Sequence, residues 1–263
     1  MKIIDMDVQH LDYVARCGYT GEKWKRPEEV AEIKKNWLRK KIAQGMVIKV
    51  ALNDEGVPVG FSRALPIDRG AWGVKGRDLL AVTCLVADDP EKNSGKKSTG
   101  LGRQLMQALE SEARKQYMGI CVTGWEMEYP YMPAAFFRKL GYQEVARQDE
   151  RVLLLKEFEP VSHPEFREIT YTYTPVPEKV TVDLIWNPLC MTSICELFTV
   201  RGVCAEFVPR VVFKEYCAGD PETYLKYGTE RALFINGRRR DWGYDAPREG
   251  VIAEIEKELN KSK

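Results

Sequence analysis

Apolar positions recur along the chain with two periods, and the alternation between them sets out the elements. Val30, Ile33, Trp37, Leu38 and Ile42 return at three- and four-residue steps within PEEVAEIKKNWLRKKIAQG. Acids lie early, bases late, Pro27 stands near the start and Gly45 at the stop, which predicts a helix. Ahead of it, KIIDMDVQHLDYVARCGY predicts a short strand and then a helix that Asp5 or Asp7 caps. MVIKVALN and VPVGFSRALP flank Asn53-Asp54-Glu55-Gly56 and predict a hairpin, and the Gly-rich RGAWGVKGR that follows predicts a loop. Leu79–Ala87 is an apolar run with a β-branched component, suited to a buried strand, and it breaks into a polar loop that closes on Gly100-Leu101-Gly102. RQLMQALESEARKQ is then helix-patterned and GICVTGWE is a second apolar strand. Strand, helix and strand at this spacing predict a parallel crossover. PAAFFRKL is a short helix between its proline and Gly141, and YQEVARQ with ERVLLLKEF is a closing hairpin around Asp149.

The pattern changes between Glu159 and Lys179, where Pro160, Pro164, Pro175 and Pro177 interleave with polar residues and TYTYT. This composition predicts an extended connector between a first domain over 1–158 and a second over 180–263. The second reads VTVDLIW (strand), a cysteine-bearing turn and helix, RVVFKEY (strand), PETYLKYG (helix), RALFING (strand) and a final helix with Pro247 in its first turn. The expected fold class is therefore α/β (α+β): a mixed sheet flanked by helices, then a smaller α/β unit.

Composition narrows the chemistry. Forty basic and 39 acidic side chains leave a net charge of +1, so nothing points to nucleic acid or an acidic membrane as a partner. No apolar run approaches the ~20 residues that span a bilayer, and MKIIDMDVQHLDYV has no apolar h-region. The expectation is a soluble cytoplasmic protein. Its seven cysteines are odd in number and partly set in apolar runs, which suits reduced thiols, and its two histidines lie apart from any cysteine pair. No metal site is expected.

The junction at Gly100 is a ready anion cradle, because unpaired N–H groups at a helix start and the helix dipole both favour negative charge. A phosphate-binding NTPase loop does not fit, since Pro90 stands where its first glycine belongs and Lys97 follows Lys96. A Rossmann site does not fit either, since Gly-x-Gly-x-x-Gly is absent. Lys97-Ser98-Thr99-Gly100-Leu101-Gly102 instead has the spacing basic-x-x-Gly-x-Gly, and AAFFRKLGYQEV follows forty residues on. In that order the two segments resemble a GNAT-fold N-acetyltransferase over Lys2 to about Phe158. The resemblance implies acetyl-CoA as co-substrate, held where the strands Leu79–Ala87 and Gly119–Glu126 splay apart. It implies that backbone groups of Cys84, Leu85 and Val86 pair with the pantetheine arm and that one polarises the thioester carbonyl. Thr99, Gly100, Leu101 and Gly102 would hold the pyrophosphate, with Ser98 beside them and Lys96 and Lys97 screening its charge. It implies an amine of a small molecule or peptide as acceptor, and it leaves a homodimer open.

Two departures from the family stand out. Asp88–Lys96 is an insertion, and Phe137 occupies the position where many relatives carry a proton-donating tyrosine. Tyr131, Tyr129 and Cys84 are the candidates for that donor, and Glu126 and Asp88 for the base. Trp72 and Trp125 flank the expected cleft. In the second domain, Cys190-Met191-Thr192-Ser193 lies between a strand and a helix, where the helix-end field favours a thiolate. The arrangement resembles the thioredoxin-like, YoaP-like domain found behind some GNAT domains, with Ser193 in place of the resolving cysteine and no proline near Glu230-Arg231. Cys195 lies about one and a half turns on and faces elsewhere. Arg238–Arg240 is expected to be a solvated hairpin tip. Two alternatives follow: a thiol-redox or thiol-sensing protein using Cys190, or a non-catalytic CoA-binding protein.

Overall fold

The computed structural model describes residues 1–70, 72–87, 100–127, 131–243 and 246–261. The chain divides into two compact units, Met1–Lys25 with Lys35–Arg167 and Arg26–Lys34 with Glu168–Lys263.

The first unit is built on strands β1 (Lys2–Asp5), β2 (Val47–Leu52), β3 (Pro58–Pro66), β5 (Leu79–Val86), β6 (Gly119–Trp125), β7 (Gln143–Gln148) and β8 (Arg151–Glu157). They form one seven-stranded sheet in the order β1-β2-β3-β5-β6-β8-β7. All neighbours are antiparallel except β5 and β6, which pair in parallel. This is the mixed sheet flanked by helices that the sequence predicts, with its one parallel pair at the two strands named for the cleft. The remaining elements are α1 (Leu11–Ala15), α2 (Glu28–Ile42, divided between the two units), α3 (Leu101–Ala113), α4 (Ala134–Arg138) and a small pair of strands, β4 (Val74–Lys75) and β9 (Glu165–Phe166). Thus a strand stands inside the expected Gly-rich loop and another inside the expected connector. Asp7, one of the two expected caps, accepts from the Gln9 amide at 3.1 Å and caps a short turn ahead of α1.

Side-chain alternation explains why the central strands read as continuous apolar runs: both faces are covered. Leu80 and Val82 of β5, Ile120 and Val122 of β6, and Val152 and Leu154 of β8 pack under Met106, Leu109 and Ala113 of α3 and Phe137 of α4. Leu79, Ala81, Cys121, Leu153 and Leu155 point the other way, to Ile67, Val74 and Phe166. Gly124 lies where α4 crosses β6, and a Cβ there would stand 2.8 Å from the Ala134 Cα.

The second unit holds β10 (Val180–Trp186), α5 (Met191–Glu206), β11 (Val211–Cys217), α6 (Pro221–Tyr227), β12 (Ala232–Ile235), β13 (Arg238–Arg240) and α7 (Arg248–Lys261). Its sheet runs β11-β10-β12-β13, with β10 and β11 parallel and the other pairs antiparallel. Val182 and Leu184 face α5 and α7, while Ile185 and Phe234 face Tyr224 and Tyr227 of α6. Arg238–Arg240 is a paired strand rather than a hairpin tip, and Arg240 reaches Glu254 of α7 at 2.6 Å. Tyr171 stacks on Phe234 with centroids 3.8 Å apart and donates to the buried Asp183 at 2.8 Å. No helix among the described residues is long and apolar enough to cross a membrane.

Gly124→Ala should force α4 off β6 and lower the unfolding midpoint, at a cost of about 1–3 kcal/mol for an overpacked contact. Thermal denaturation of the variant beside wild type checks this.

Candidate active site

The parallel pairing of β5 and β6 covers only Leu79–Val82 against Gly119–Val122, although β5 continues to Val86 and β6 to Trp125. The strands part for a local reason. Across β3, Arg63 faces Cys84 and Ala64 faces Val82, so Thr83 is an extra, bulged residue. A bulge bends its strand and increases its twist, which carries β5 away from β6 while it stays paired with β3. Thr83 is locked on both sides: its hydroxyl donates to the Arg63 carbonyl at 3.2 Å, and its own carbonyl accepts from the Trp72 indole N–H at 3.0 Å. Beyond Val82 no described strand pairs with β5 on its β6 side. Backbone groups of Cys84, Leu85 and Val86 thus border a strand edge that no described strand covers on the β6 side.

Three aromatic rings line this opening. Trp72, Trp125 and Tyr131 meet edge-on or tilted, with centroids 5.4 to 6.2 Å apart. Trp72 adopts a left-handed backbone, φ 48°, unusual for so large a residue. Its indole bond, its ring contacts and the Arg151 guanidinium donating to its carbonyl over-determine it, as strained residues at functional sites require. Tyr131 is set by the turn after β6, where the Trp125 amide donates to the Met132 carbonyl at 3.2 Å. Its hydroxyl donates to Cys84 Sγ at 2.9 Å. The structure thus brings together Cys84 and Tyr131, two of the three candidate proton donors. Tyr129 and Asp88 lie outside the described residues, and Phe137 is buried in the core beneath α3.

Glu126 is placed differently from expectation. It is bonded to both Arg138 and Arg147, the latter at 2.7 Å, and the two guanidinium groups also hold Glu144. Arg147 first and Arg138 second hold its carboxyl down at about 2. A carboxylate so stabilised is a weak base, so the general-base role named for it has no support in this geometry.

The anion cradle is built at the start of α3. Gly100 is the N-cap, with φ 76°, and brings no side chain to satisfy the helix amides. A Cβ on Gly100 would meet nothing within 4 Å among the described residues, whereas one on Gly102 would stand 3.3 Å from the Ala87 Cβ and 3.2 Å from Phe136. Gly100 therefore answers a backbone requirement, its left-handed φ, and gives the first amides of α3 no side-chain cap. Gly102 lets α3 pack against the end of β5. Lys96, Lys97, Ser98 and Thr99 lie outside the described residues. Among the described residues, no group of three or more His, Cys, Asp or Glu is placed to hold a metal ion.

One residue of the opening was not singled out in the sequence. Thr123 lies on β6 at the first position past the last β5 pair, 2% exposed, and its hydroxyl has no hydrogen-bond partner among the described residues. It shares a small space with Trp72. A signal for it existed: Thr83 and Thr123 are the polar interruptions in the two apolar strands.

In the second unit Cys190 is the N-cap of α5, partly exposed, with Sγ 3.2 Å from the Thr192 hydroxyl. Thr192 Oγ1 accepts from Arg231 at 3.1 Å, and Arg231 also donates to Glu196 at 2.6 Å. The guanidinium thus holds the Thr192 hydroxyl beside the sulfur. Ser193, expected beside the thiol, is instead buried and accepts from the Asn187 amide at 3.0 Å, so it serves the turn.

No protein-family model matches the chain, and no curated protein does. Among solved structures it is similar to the PaiA N-acetyltransferase of Thermoplasma acidophilum in complex with coenzyme A, at 15% identity over 60% of this chain and 99% of that one, TM-score 0.43. It is similar also to a ribosomal-protein-alanine N-acetyltransferase of Brucella melitensis, at 16% over 60% and 99%, TM-score 0.42. A GNAT-family acetyltransferase of the same organism in complex with acetyl-CoA matches at 15% over 62% and 90%, TM-score 0.40. Likeness this distant carries no residue's role across to the present chain.

The Glu126 pairing has a definite pH signature. Its folded value lies below the roughly 4.3 of a free glutamate, so its stabilisation is complete above that pH and is lost as pH falls through about 2. The gap in urea midpoint between wild type and Glu126→Gln should be widest near neutrality and close as the buffer is taken from about pH 5 toward 2.

Proposed function

We propose that the first unit transfers an acetyl group from acetyl-CoA to an amine of a small molecule or peptide. The observation that carries this is the parting of β5 and β6 at the Thr83 bulge, with the start of α3, uncapped by any side chain of Gly100, beyond it. A pantetheine arm carries amides at strand-like spacing, and the open edge at Leu85 and Val86 offers it backbone partners in the manner of an added strand. The pyrophosphate then meets the N–H groups of Leu101, Gly102 and Arg103, where the helix dipole favours it. Lys96, Lys97, Ser98 and Thr99 are placed by sequence to add to that cradle. Acetyl-CoA supplies the activated acyl group; the chain supplies the orientation, a dry aromatic wall and the Tyr131 hydroxyl beside the reacting region. This reading gives Glu126 no part in the reaction, since its carboxylate is engaged by Arg138 and Arg147. Attack by an amine that arrives neutral requires only a proton sink, which solvent provides at the open mouth.

A second reading belongs to the second unit and is favoured by the Cys190–Thr192–Arg231 relay. We propose that this unit is a separate, thioredoxin-like domain, consistent with the strand order β11-β10-β12-β13 and its single parallel pair. With Ser193 committed to the Asn187 turn and Cys195 buried, Cys190 would act as a single thiol rather than half of a dithiol.

Acetyl-CoA should bind the full chain saturably by calorimetry. Gly100→Asp, which sets a carboxylate in the open space before the amides, should weaken binding at least about tenfold, or roughly 1.4 kcal/mol. Unchanged affinity in a folded Gly100→Asp protein would sink the acetyltransferase reading. For the second unit, iodoacetamide should alkylate Cys190 faster than the other six cysteines, and Arg231→Gln should slow that labelling. Equal rates in the two proteins would remove the relay.

A further inference from the structure

Cys84 is more than a wall of the cleft. It is the first residue after the bulge, 3% exposed, and it borders the edge at which β5 has left β6. A buried thiol by itself is inert: Cys121, on the neighbouring strand and enclosed by apolar side chains, is pushed up to about 12. What distinguishes Cys84 is the Tyr131 hydroxyl aimed at its sulfur at 2.9 Å. A phenol O–H given to sulfur favours the thiolate, which is the nucleophilic form. A second observation is independent of that bond. The Thr123 hydroxyl is buried without a partner among the described residues, one position past the last β5–β6 pair, packed beside Trp72. A buried hydroxyl left unmatched costs free energy that a bound acceptor atom would recover. Along β6 Thr123 stands at the level where β5 departs.

We propose that Cys84 accepts the acyl group covalently, so that transfer runs through a Cys84 thioester instead of by direct attack of the amine on acetyl-CoA; this rests on the acyl-transfer reading above. In the first half-reaction the Cys84 thiolate attacks the carbonyl carbon of acetyl-CoA. The Cys84 Sγ–C bond forms, the bond from that carbon to the CoA sulfur breaks, and the CoA thiolate leaves with the electron pair. It takes up a proton equal to the one Cys84 released. In the second, a neutral amine attacks the Cys84 thioester, the N–C bond forms and the Sγ–C bond breaks. The sulfur recovers its electron pair, and the surplus amine proton goes to solvent or to that sulfur. One thioester is exchanged for another, so no oxidant or reductant is needed. Tyr131 stabilises the thiolate both when it attacks and when it leaves, and Thr123 donates to the acyl oxygen as its charge develops. The proton-handling work that Phe137 cannot do falls to Tyr131, on the turn after β6.

The test is to incubate the full chain with acetyl-CoA and no acceptor, record its intact mass, and map any adduct by digestion. The expected result is one added acetyl group on Cys84, removed by neutral hydroxylamine as a thioester is. Tyr131→Phe should slow its formation about tenfold, with Cys84→Ala giving no adduct while still raising its melting temperature with acetyl-CoA. Initial rates with an amine acceptor should give parallel double-reciprocal lines. Binding and turnover by wild type with no adduct, an adduct on another residue, or Cys84→Ala turnover within about threefold of wild type would each overturn the covalent route and leave the acyl-transfer reading standing. Failure of wild type to bind acetyl-CoA would overturn both. Should Cys84→Ala not fold, the wild-type adduct map and the Tyr131→Phe labelling rate still decide.

Discussion

The first unit turns on the hydrogen bond from the Trp72 indole to the carbonyl of Thr83. A bulged residue leaves its backbone groups out of the ladder, and a buried carbonyl without a partner is costly. The indole meets that demand, and the Thr83 hydroxyl closes the other side on Arg63. With the bulge so held, β5 serves two neighbours in succession: β6 as far as Val82, then open space, while β3 stays beside it throughout. The restraint reaches further, because Trp72 must itself be kept in a left-handed backbone that costs of order 1–3 kcal/mol. Its ring contacts with Trp125 and Tyr131 and the Arg151 bond to its carbonyl offset that strain. Disturbing any member of this set would let β5 relax toward β6 and close the cleft.

The sequence made the layout of the first unit readable because nearly every central strand is apolar on both faces and bounded by a turn residue. The hairpin of β7 and β8 around Asp149 and the crossover from β5 through α3 to β6 followed from period and punctuation alone. The elements that escaped notice are those whose existence depends on a distant partner. β4 and β9 are two residues each and pair across some ninety positions; β13 is a run of arginines that forms a strand because β12 offers it an edge. Local propensity cannot see such pairings.

The site divides along the same line. Cys84, Leu85, Val86, Gly100 and Gly102 could be named from strand and helix positions, since the backbone places them. Glu126 and Ser193 could not be judged, because what decides their chemistry is a side chain elsewhere: Arg138 and Arg147 for the first, the Asn187 turn for the second. Thr123 was visible as a polar break in GICVTGW, but its importance depends on where β5 leaves β6. That depends on one extra residue in β5, which no periodicity announces.

The same dependence bears on Phe137. Its ring is wholly buried and edge-on to Phe136 and Tyr142, under α3. A tyrosine hydroxyl there would need a polar partner in that core or a path out of it. Across the cleft, the turn after β6 carries Tyr131 to the sulfur of Cys84, and Gly124 permits the close approach of Ala134 that sets the end of that turn. The phenol therefore reaches the opening from the β6 side, attached to the strand that parts from β5 rather than to the helix beneath. Whatever opens the two strands also fixes the distance between the thiol on one and the hydroxyl that follows the other. The parted strands and the contact between thiol and phenol thus both follow from a single bulged residue, Thr83.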